Sequence, residues 1–280
     1  MPELPEVETT ARLIEPGILG RTIRGVQVEW LRSLGGMSHI KFEQAVVGAK
    51  VSKVWRRAKY VVIDLQRRGK PAGVLLVHLR MTGRLVVTGR GVEAPDYNRV
   101  SLELDRGNLH FLDVRKFGRF TFHPEAGPAL QHLGPEPLVE AWTPDVFVEA
   151  LRARRRAIKP LLLDQSFLAG LGNIYVDESL FGARIHPQEL ACHVSKAKAV
   201  ALHGRIQTVL REAIVREGSS FDAFYRTPEG QPGSYQHLFK AYGRTGKPCE
   251  RCQRPIRRIV VGQRGTHFCP RCQVLGKASR

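Results

Sequence analysis

Met1-Pro2-Glu3-Leu4-Pro5-Glu6-Val7-Glu8-Thr9 is the stretch from which the rest of the chain is read. Removal of Met1, expected when a small residue follows, leaves Pro2 as the amino terminus and so a secondary amine. α-Amino groups titrate near about 8, which leaves a useful neutral fraction at physiological pH. A neutral secondary amine that attacks an aldehyde-like carbon gives an iminium. That cation keeps its charge without a proton and acts as an electron sink for elimination at the neighbouring carbon. Glu3 sets a carboxylate beside the nucleophile for proton transfer. On two residues alone, an ordinary processed terminus is the better account. Just beyond, Val7, Ala11, Ile14 and Ile18 recur at helical spacing, and Pro16-Gly17 marks where that helix frays or ends. Such a helix holds Pro2 and Glu3 at its amino end, where its dipole favours a carboxylate and disfavours a protonated amine.

The totals narrow the partners. The chain has 280 residues, enough for two domains with their own cores. With 44 Lys and Arg against 26 Asp and Glu, its formal charge is +18, a field that points to a polyanion, nucleic acid first among them. No apolar run approaches the length of a membrane span, and no basic segment with an apolar stretch opens the chain. The expectation is a cytoplasmic protein.

Five cysteines are present, four of them spaced Cys249-x2-Cys252-x16-Cys269-x2-Cys272. Two chelating pairs separated by a hairpin-length spacer match a four-thiolate zinc site. Four protein ligands leave no position open for water, so the expectation is one structural Zn2+, with the chemistry elsewhere. Cys192 reads as a plain small residue.

Segments 22–30, 49–55, 60–65, 74–79, 85–88, 100–104, 109–113 and 120–122 are short and rich in branched and aromatic residues. Gly, Asn, Asp or basic clusters separate them, and Arg106-Gly107-Asn108 has the look of a hairpin turn. Many short strands without intervening helices predict a β-sandwich or barrel. Residues 123–144 hold five prolines and little periodicity, as a hinge does. Helical patterns follow over 144–156, 158–166, 173–182 and 195–217, then a polar Gly- and Pro-rich stretch over 218–234. From His237 onward there are 11 Lys and Arg against one acidic residue, so the basic character is concentrated there.

The opening nine residues resemble the amino terminus of the formamidopyrimidine-DNA glycosylases, the Fpg/MutM branch of the Fpg/endonuclease VIII family. Leu4 stands where the endonuclease VIII branch usually carries Gly. Further motifs agree. Lys59 in Arg56-Arg-Ala-Lys-Tyr60 matches a lysine that contacts phosphate near the damaged nucleotide and assists catalysis. His78-Leu-Arg-Met81-Thr-Gly83 and Asp113-Val-Arg115-Lys-Phe117-Gly118 resemble the two loops that fill the gap left by an extruded nucleotide. Met81, Arg115 and Phe117 match that role. Tyr97 stands where family members often have a DNA-contacting histidine. Ile158 to Gln165 and Leu171 to Glu178 resemble the helix–two-turn–helix element. There Asn173, at a helix start, contacts the DNA backbone, and Lys159 with Arg154 adds charge. Arg264, in Gln-Arg-Gly-Thr between the cysteine pairs, matches the zinc-hairpin arginine that reaches the phosphates around the lesion. The segment 218–235 corresponds to a loop that covers the flipped base.

Together these imply a multidomain α+β protein. Its parts are an N-terminal β-sandwich with a leading helix over 1–123, a hinge over 124–144, a helical domain over 145–236 and a zinc-finger β-hairpin over 237–280. The resemblance implies a monomeric bifunctional glycosylase and AP lyase acting on double-stranded DNA with oxidised purines or abasic sites. Pro2 and Glu3 are its catalytic pair, supported by Lys59 and Arg264. Two other readings stay open: the same machinery aimed at oxidised pyrimidines, and a non-catalytic damage-binding zinc protein.

Overall fold

The computed structural model describes residues 1–221 and 225–276. It divides into two compact units. One is Met1–Gln131 with Arg216–Ser234; the other is His132–Val215 with the segment from Tyr235 onward. Residues 216–234, which the sequence division assigns to the helical segment, thus group with the first unit.

In the first unit the leading helix α1 spans Leu4–Ile18. Glu3 is its extended N-cap residue, and the Glu6 carboxylate accepts from the Glu3 N–H at 2.8 Å, which satisfies a donor the helix start leaves open. Pro16 falls in the last turn, where its missing N–H costs the helix one i→i−4 hydrogen bond, yet the helix runs on to Ile18. Val7, Ala11, Ile14 and Ile18 are all buried, as their spacing predicts. Full burial of a Val or Ile side chain is worth about 1.5–3 kcal/mol, so this stripe anchors the helix.

Eight strands follow: β1 (Ile23–Val28), β2 (Lys50–Arg57), β3 (Tyr60–Arg67), β4 (Lys70–His78), β5 (Gly83–Thr88), β6 (Asn98–Leu104), β7 (Asn108–Asp113) and β8 (Arg119–His123). They form two antiparallel four-stranded sheets ordered β1-β6-β7-β5 and β2-β3-β4-β8. Val51, Val61, Ile63, Leu75 and Val77 from one sheet join Leu85, Val100, Leu102, Leu109 and Phe111 from the other in a single core with α1, the sandwich expected. The turn at Gly107 takes φ +78° and closes through the Leu104 N–H to the Gly107 carbonyl at 2.9 Å.

Two helical elements depart from the all-strand reading of 22–123, one of them a short 3-10 turn at Leu31–Leu34. A helix α2 spans His39–Val46 between β1 and β2. Ser38 caps it through the Lys41 N–H at 3.4 Å, and Phe42 and Val46, one turn apart, enter the sandwich core. Eight residues carry too little periodicity for a helix to announce itself. A short helix α3 (Ala126–Leu130) also sits inside the segment read as hinge.

The second unit contains α4 (Pro144–Arg152), α5 (Ile158–Leu163), α6 (Asn173–Ala183) and α7 (Lys196–Val215). Thr143 caps α4 through the Val146 N–H at 3.3 Å, with Pro144 in the first turn. The α5 helix ends before the predicted 166 because the Asp164 carboxylate turns back onto the Ser166 N–H at 3.0 Å and hydroxyl at 2.7 Å. After α7 comes the antiparallel hairpin of β9 (Arg257–Val261) and β10 (Arg264–Phe268). The α6 helix packs against α7 and β10 and is buried nearly all round.

Candidate active site and its supporting elements

Pro2 and Glu3 are both buried at the amino end of α1. Glu6, a residue the sequence reading passed over, ties this terminus to the polar loop. One of its carboxylate oxygens accepts from the Glu3 N–H; the other accepts from the Ser219 N–H at 2.8 Å. Gly218 lies at φ +80°, and a Cβ there would meet Glu6 Cγ and Oε1 at 2.7 Å, so only glycine fits this approach. The Tyr225 hydroxyl donates to the Glu6 carbonyl at 3.4 Å and is kept protonated, by burial first and by the Glu6 charge second. Across the loop's feet, the Ser234 N–H reaches the Arg216 carbonyl at 3.0 Å and the Gly233 N–H reaches Ser220 Oγ at 3.0 Å. Residues 222–224 of this loop lie outside the described residues.

Lys59 stands with Ala58 in the two-residue turn of the β2–β3 hairpin and is buried. Ala58 takes φ +52°. Arg56 holds that turn to α1: its Nη1 donates to the Ala58 carbonyl at 3.2 Å and its Nε to Glu8 at 2.8 Å. Burial works against the Glu8 charge, but hydrogen bonds and ion pairs with Arg56 and Arg12 outweigh it and hold the carboxyl below its ordinary range.

His78 pairs across the sheet with Tyr60, ring against ring at 4.8 Å, and its Nδ1 accepts from the Arg80 N–H at 3.0 Å. Burial, then the charges of Arg80 and Lys59, push the imidazole down to about 3, so it is neutral at pH 7. The unfolded chain therefore binds a proton below 6.5 that the native state refuses until about 3, and stability falls as pH drops through that window. His78→Gln should flatten the pH dependence of urea unfolding between pH 4 and 6.5 by up to about one proton. An unchanged slope would mean that His78 accepts its proton in the folded state.

The Met81 turn and the Arg115–Phe117 loop belong to the same unit. Met81 is half-buried and Phe117 is 50% exposed, with the Arg115 guanidinium 4.9 Å from the Phe117 ring. Tyr97 is exposed at φ +63°, and its carbonyl accepts from the Asp113 N–H at 3.0 Å.

In the second unit the four thiols of Cys249, Cys252, Cys269 and Cys272 lie within 4.8 Å of one another. Zn–S bonds of about 2.3 Å place tetrahedral sulfurs just under 4 Å apart, so these residues fit one structural zinc ion. Among the described residues they join a small apolar cluster with Phe181, Ala241 and Ile256. Glu178 fixes the approach to the hairpin, accepting from the N–H groups of Lys240, Ala241 and Tyr242 at 2.8–3.0 Å.

Gly262 and Gln263, both at positive φ, make the two-residue hairpin tip, and Arg264 follows with its side chain exposed. The Gly265 carbonyl is gripped by Asn173 Nδ2 at 2.9 Å and Lys159 Nζ at 3.1 Å. Arg154 is exposed beyond α4.

Lys159 corrects the sequence reading. It is fully buried, bonded to Asp177 at 2.6 Å, and Asp177 in turn accepts from the His267 N–H at 2.8 Å. Its charge faces a carboxylate and a carbonyl inside the protein rather than a DNA phosphate. Lys159→Met should leave the Asp177 carboxylate buried without its lysine counter-ion and destabilise the protein by about 3–5 kcal/mol, read as a lowered Tm. A Tm within a degree of the parent would contradict that.

Comparison with known proteins extends this picture. Residues 1–120 match the formamidopyrimidine-DNA glycosylase N-terminal domain, 133–224 the formamidopyrimidine-DNA glycosylase H2TH domain, and 246–274 the zinc finger found in FPG and IleRS. The formamidopyrimidine-DNA glycosylase of Symbiobacterium thermophilum is 43% identical, with 98% of this chain and 89% of that protein covered. That of Chloroflexus aggregans is 45% identical, covering 98% and 99%. Among solved structures, the MutM (Fpg) protein of Thermus thermophilus superposes with a TM-score of 0.86 at 40% identity, covering 98% and 100%. MutM in complex with DNA containing carbocyclic 8-oxo-G superposes with 0.88 at 35% identity, again covering 98% and 100%. With three models of the family matched in order and relatives 43–45% identical over 98% of its length, the chain belongs to the formamidopyrimidine-DNA glycosylase family.

Proposed function

We propose that this chain is a bifunctional DNA glycosylase and AP lyase of base excision repair that removes 8-oxoguanine opposite cytosine and ring-opened purines from duplex DNA. The observation that carries the reading is the buried Pro2-Glu3 terminus, tied through Glu6 to a loop long enough to cover a base. Once Met1 is removed, the Pro2 nitrogen attacks C1′ of the damaged nucleotide. The N–C1′ bond forms as the bond to the base breaks, and the base departs with a proton. Glu3 passes a proton to the ring oxygen, the sugar opens, and the iminium on Pro2 remains. Loss of a C2′ proton then breaks the bond to the 3′ phosphate, and a second elimination breaks the bond to the 5′ phosphate.

Lys59, held rigid at its turn, and Arg264 at the hairpin tip address the phosphates next to the lesion; Asn173 and Arg154 contact the backbone. Met81, Arg115 and Phe117 occupy the space the nucleotide leaves. Zinc, bound by the four cysteines, supplies structure alone. Because its substrate is genomic DNA, the enzyme is read as cytoplasmic and nucleoid-associated, and by family resemblance it acts as a monomer.

The test is excision measured side by side on duplexes carrying 8-oxoguanine opposite cytosine and thymine glycol opposite adenine. Faster release of 8-oxoguanine supports this reading, and faster release of thymine glycol moves the protein to oxidised pyrimidines. Tight binding without release from either would make it a damage-binding protein.

A further inference from the structure

Met81 sits in the turn from Leu79 to Gly83, closed by the Gly83 N–H on the Leu79 carbonyl at 2.8 Å. Arg115 and Phe117 sit in the link between β7 and β8. The two loops are distant in sequence yet converge on one carboxylate. Asp113 is 1% exposed. Its Oδ1 accepts from the Thr82 hydroxyl and from the Arg115 N–H at 3.2 Å, and its Oδ2 accepts from the Gly118 N–H at 2.7 Å. Thr82 Oγ1 itself accepts from the Arg115 N–H at 3.1 Å, so one amide is shared between the two loops. Every side-chain bond of this carboxylate therefore ends in the Met81 turn or the Arg115–Phe117 loop.

The Asp113 backbone is fixed as well. Its N–H donates to the Tyr97 carbonyl at 3.0 Å, and its carbonyl accepts from Arg99 Nε at 2.8 Å. Gly118 passes so close that a Cβ would lie 2.3 Å from Phe111 and 3.1 Å from the carboxylate. Lys116 lies 4.5 Å from the Trp30 ring centroid and steadies the outer side of the loop. Burying a carboxylate is costly unless its hydrogen bonds are met, and here they are met by residues that set the path of these two loops.

We propose that Asp113 and Thr82 are positioning residues that join the Met81 turn and the Arg115–Phe117 loop into a single wedge, so that both enter the vacated stack together. The proposal rests on the reading of Met81, Arg115 and Phe117 as void-filling residues. Its consequence is selective. Extruding a paired, stacked lesion needs a wedge that holds its shape, whereas a preformed abasic site has no base to displace.

Thr82→Val removes the hydroxyl and keeps the shape; Thr82→Ser keeps the hydroxyl. Asp113→Asn keeps the shape but puts an amide in place of one oxygen, so the side chain cannot accept from both the Gly118 N–H and the Arg115 N–H. The measurement is single-turnover excision on an 8-oxoguanine:cytosine duplex, strand cleavage on the same duplex with a preformed abasic site, and Tm for each variant. Thr82→Val and Asp113→Asn should slow excision by about 10-fold or more while abasic-site cleavage stays within about 3-fold, and Thr82→Ser should restore excision. Excision and cleavage falling together in step with Tm would reduce the pair to a stability role and overturn the proposal, as would unchanged excision in both variants. A parent protein that cleaves abasic sites but excises no oxidised base would remove the reading beneath the proposal, which is a separate failure.

Discussion

Protein expressed with a tag fused ahead of Pro2 should lose base excision and abasic-site cleavage together, each by at least about 10³-fold, while still binding duplex DNA. The reason is chemical. An amide nitrogen at position 2 has no available lone pair, so neither the displacement nor the iminium that drives both eliminations can form. The folded surroundings argue for the same site: Pro2 and Glu3 are buried against α1, and Glu6 holds both the Glu3 amide and the loop at Ser219. Removing the tag so that Pro2 is again terminal should restore both activities. Retention of strand cleavage by the tagged protein would place the nucleophile on another residue, with a lysine the first candidate. Glu3→Gln should be milder on binding and severe on excision, because it keeps the shape and removes the proton carrier.

The second large effect concerns zinc. Cys269→Ala, or prolonged treatment with a strong chelator, should release one zinc per chain and weaken binding to duplex DNA by about 10²-fold or more. The apolar cluster behind the four thiols is small, and the β9–β10 hairpin is a two-stranded pair whose cysteine end gains most from the metal. That segment also carries Arg251, Arg254, Arg257, Arg258, Arg264 and Arg271, so its loss removes phosphate contacts and should flatten the salt dependence of binding. Metal analysis and titrations at several salt concentrations read both effects. Full affinity in a zinc-free protein would show that the hairpin either folds without metal or does not touch DNA.

Much of this was legible in the chain because the chemistry that defines it is local in sequence. The cysteine pairs, the nine opening residues and the loops carrying Met81 and Phe117 are short motifs, and the α1 stripe follows from spacing alone. What escaped the reading depends on contacts between distant residues. Glu6 looks like one more acidic residue in a helix start, and only the fold brings Ser219 to it. Asp113 reads as the last residue of a strand until Thr82 and Gly118 are placed around it. Lys159 misled for the complementary reason. A lysine beside an arginine run looks like a DNA contact, and nothing local announces that Asp177 and the Gly265 carbonyl will enclose it. Helix α2 was hidden by its length.

The central claim is that Pro2 forms the covalent bond to DNA. It is tested most directly by borohydride trapping on an 8-oxoguanine:cytosine duplex, using protein with Met1 removed and mapping the reduced adduct by mass spectrometry. One adduct is expected, on the nitrogen of Pro2. An adduct on a lysine, or none at all on a duplex the protein binds tightly, would contradict it.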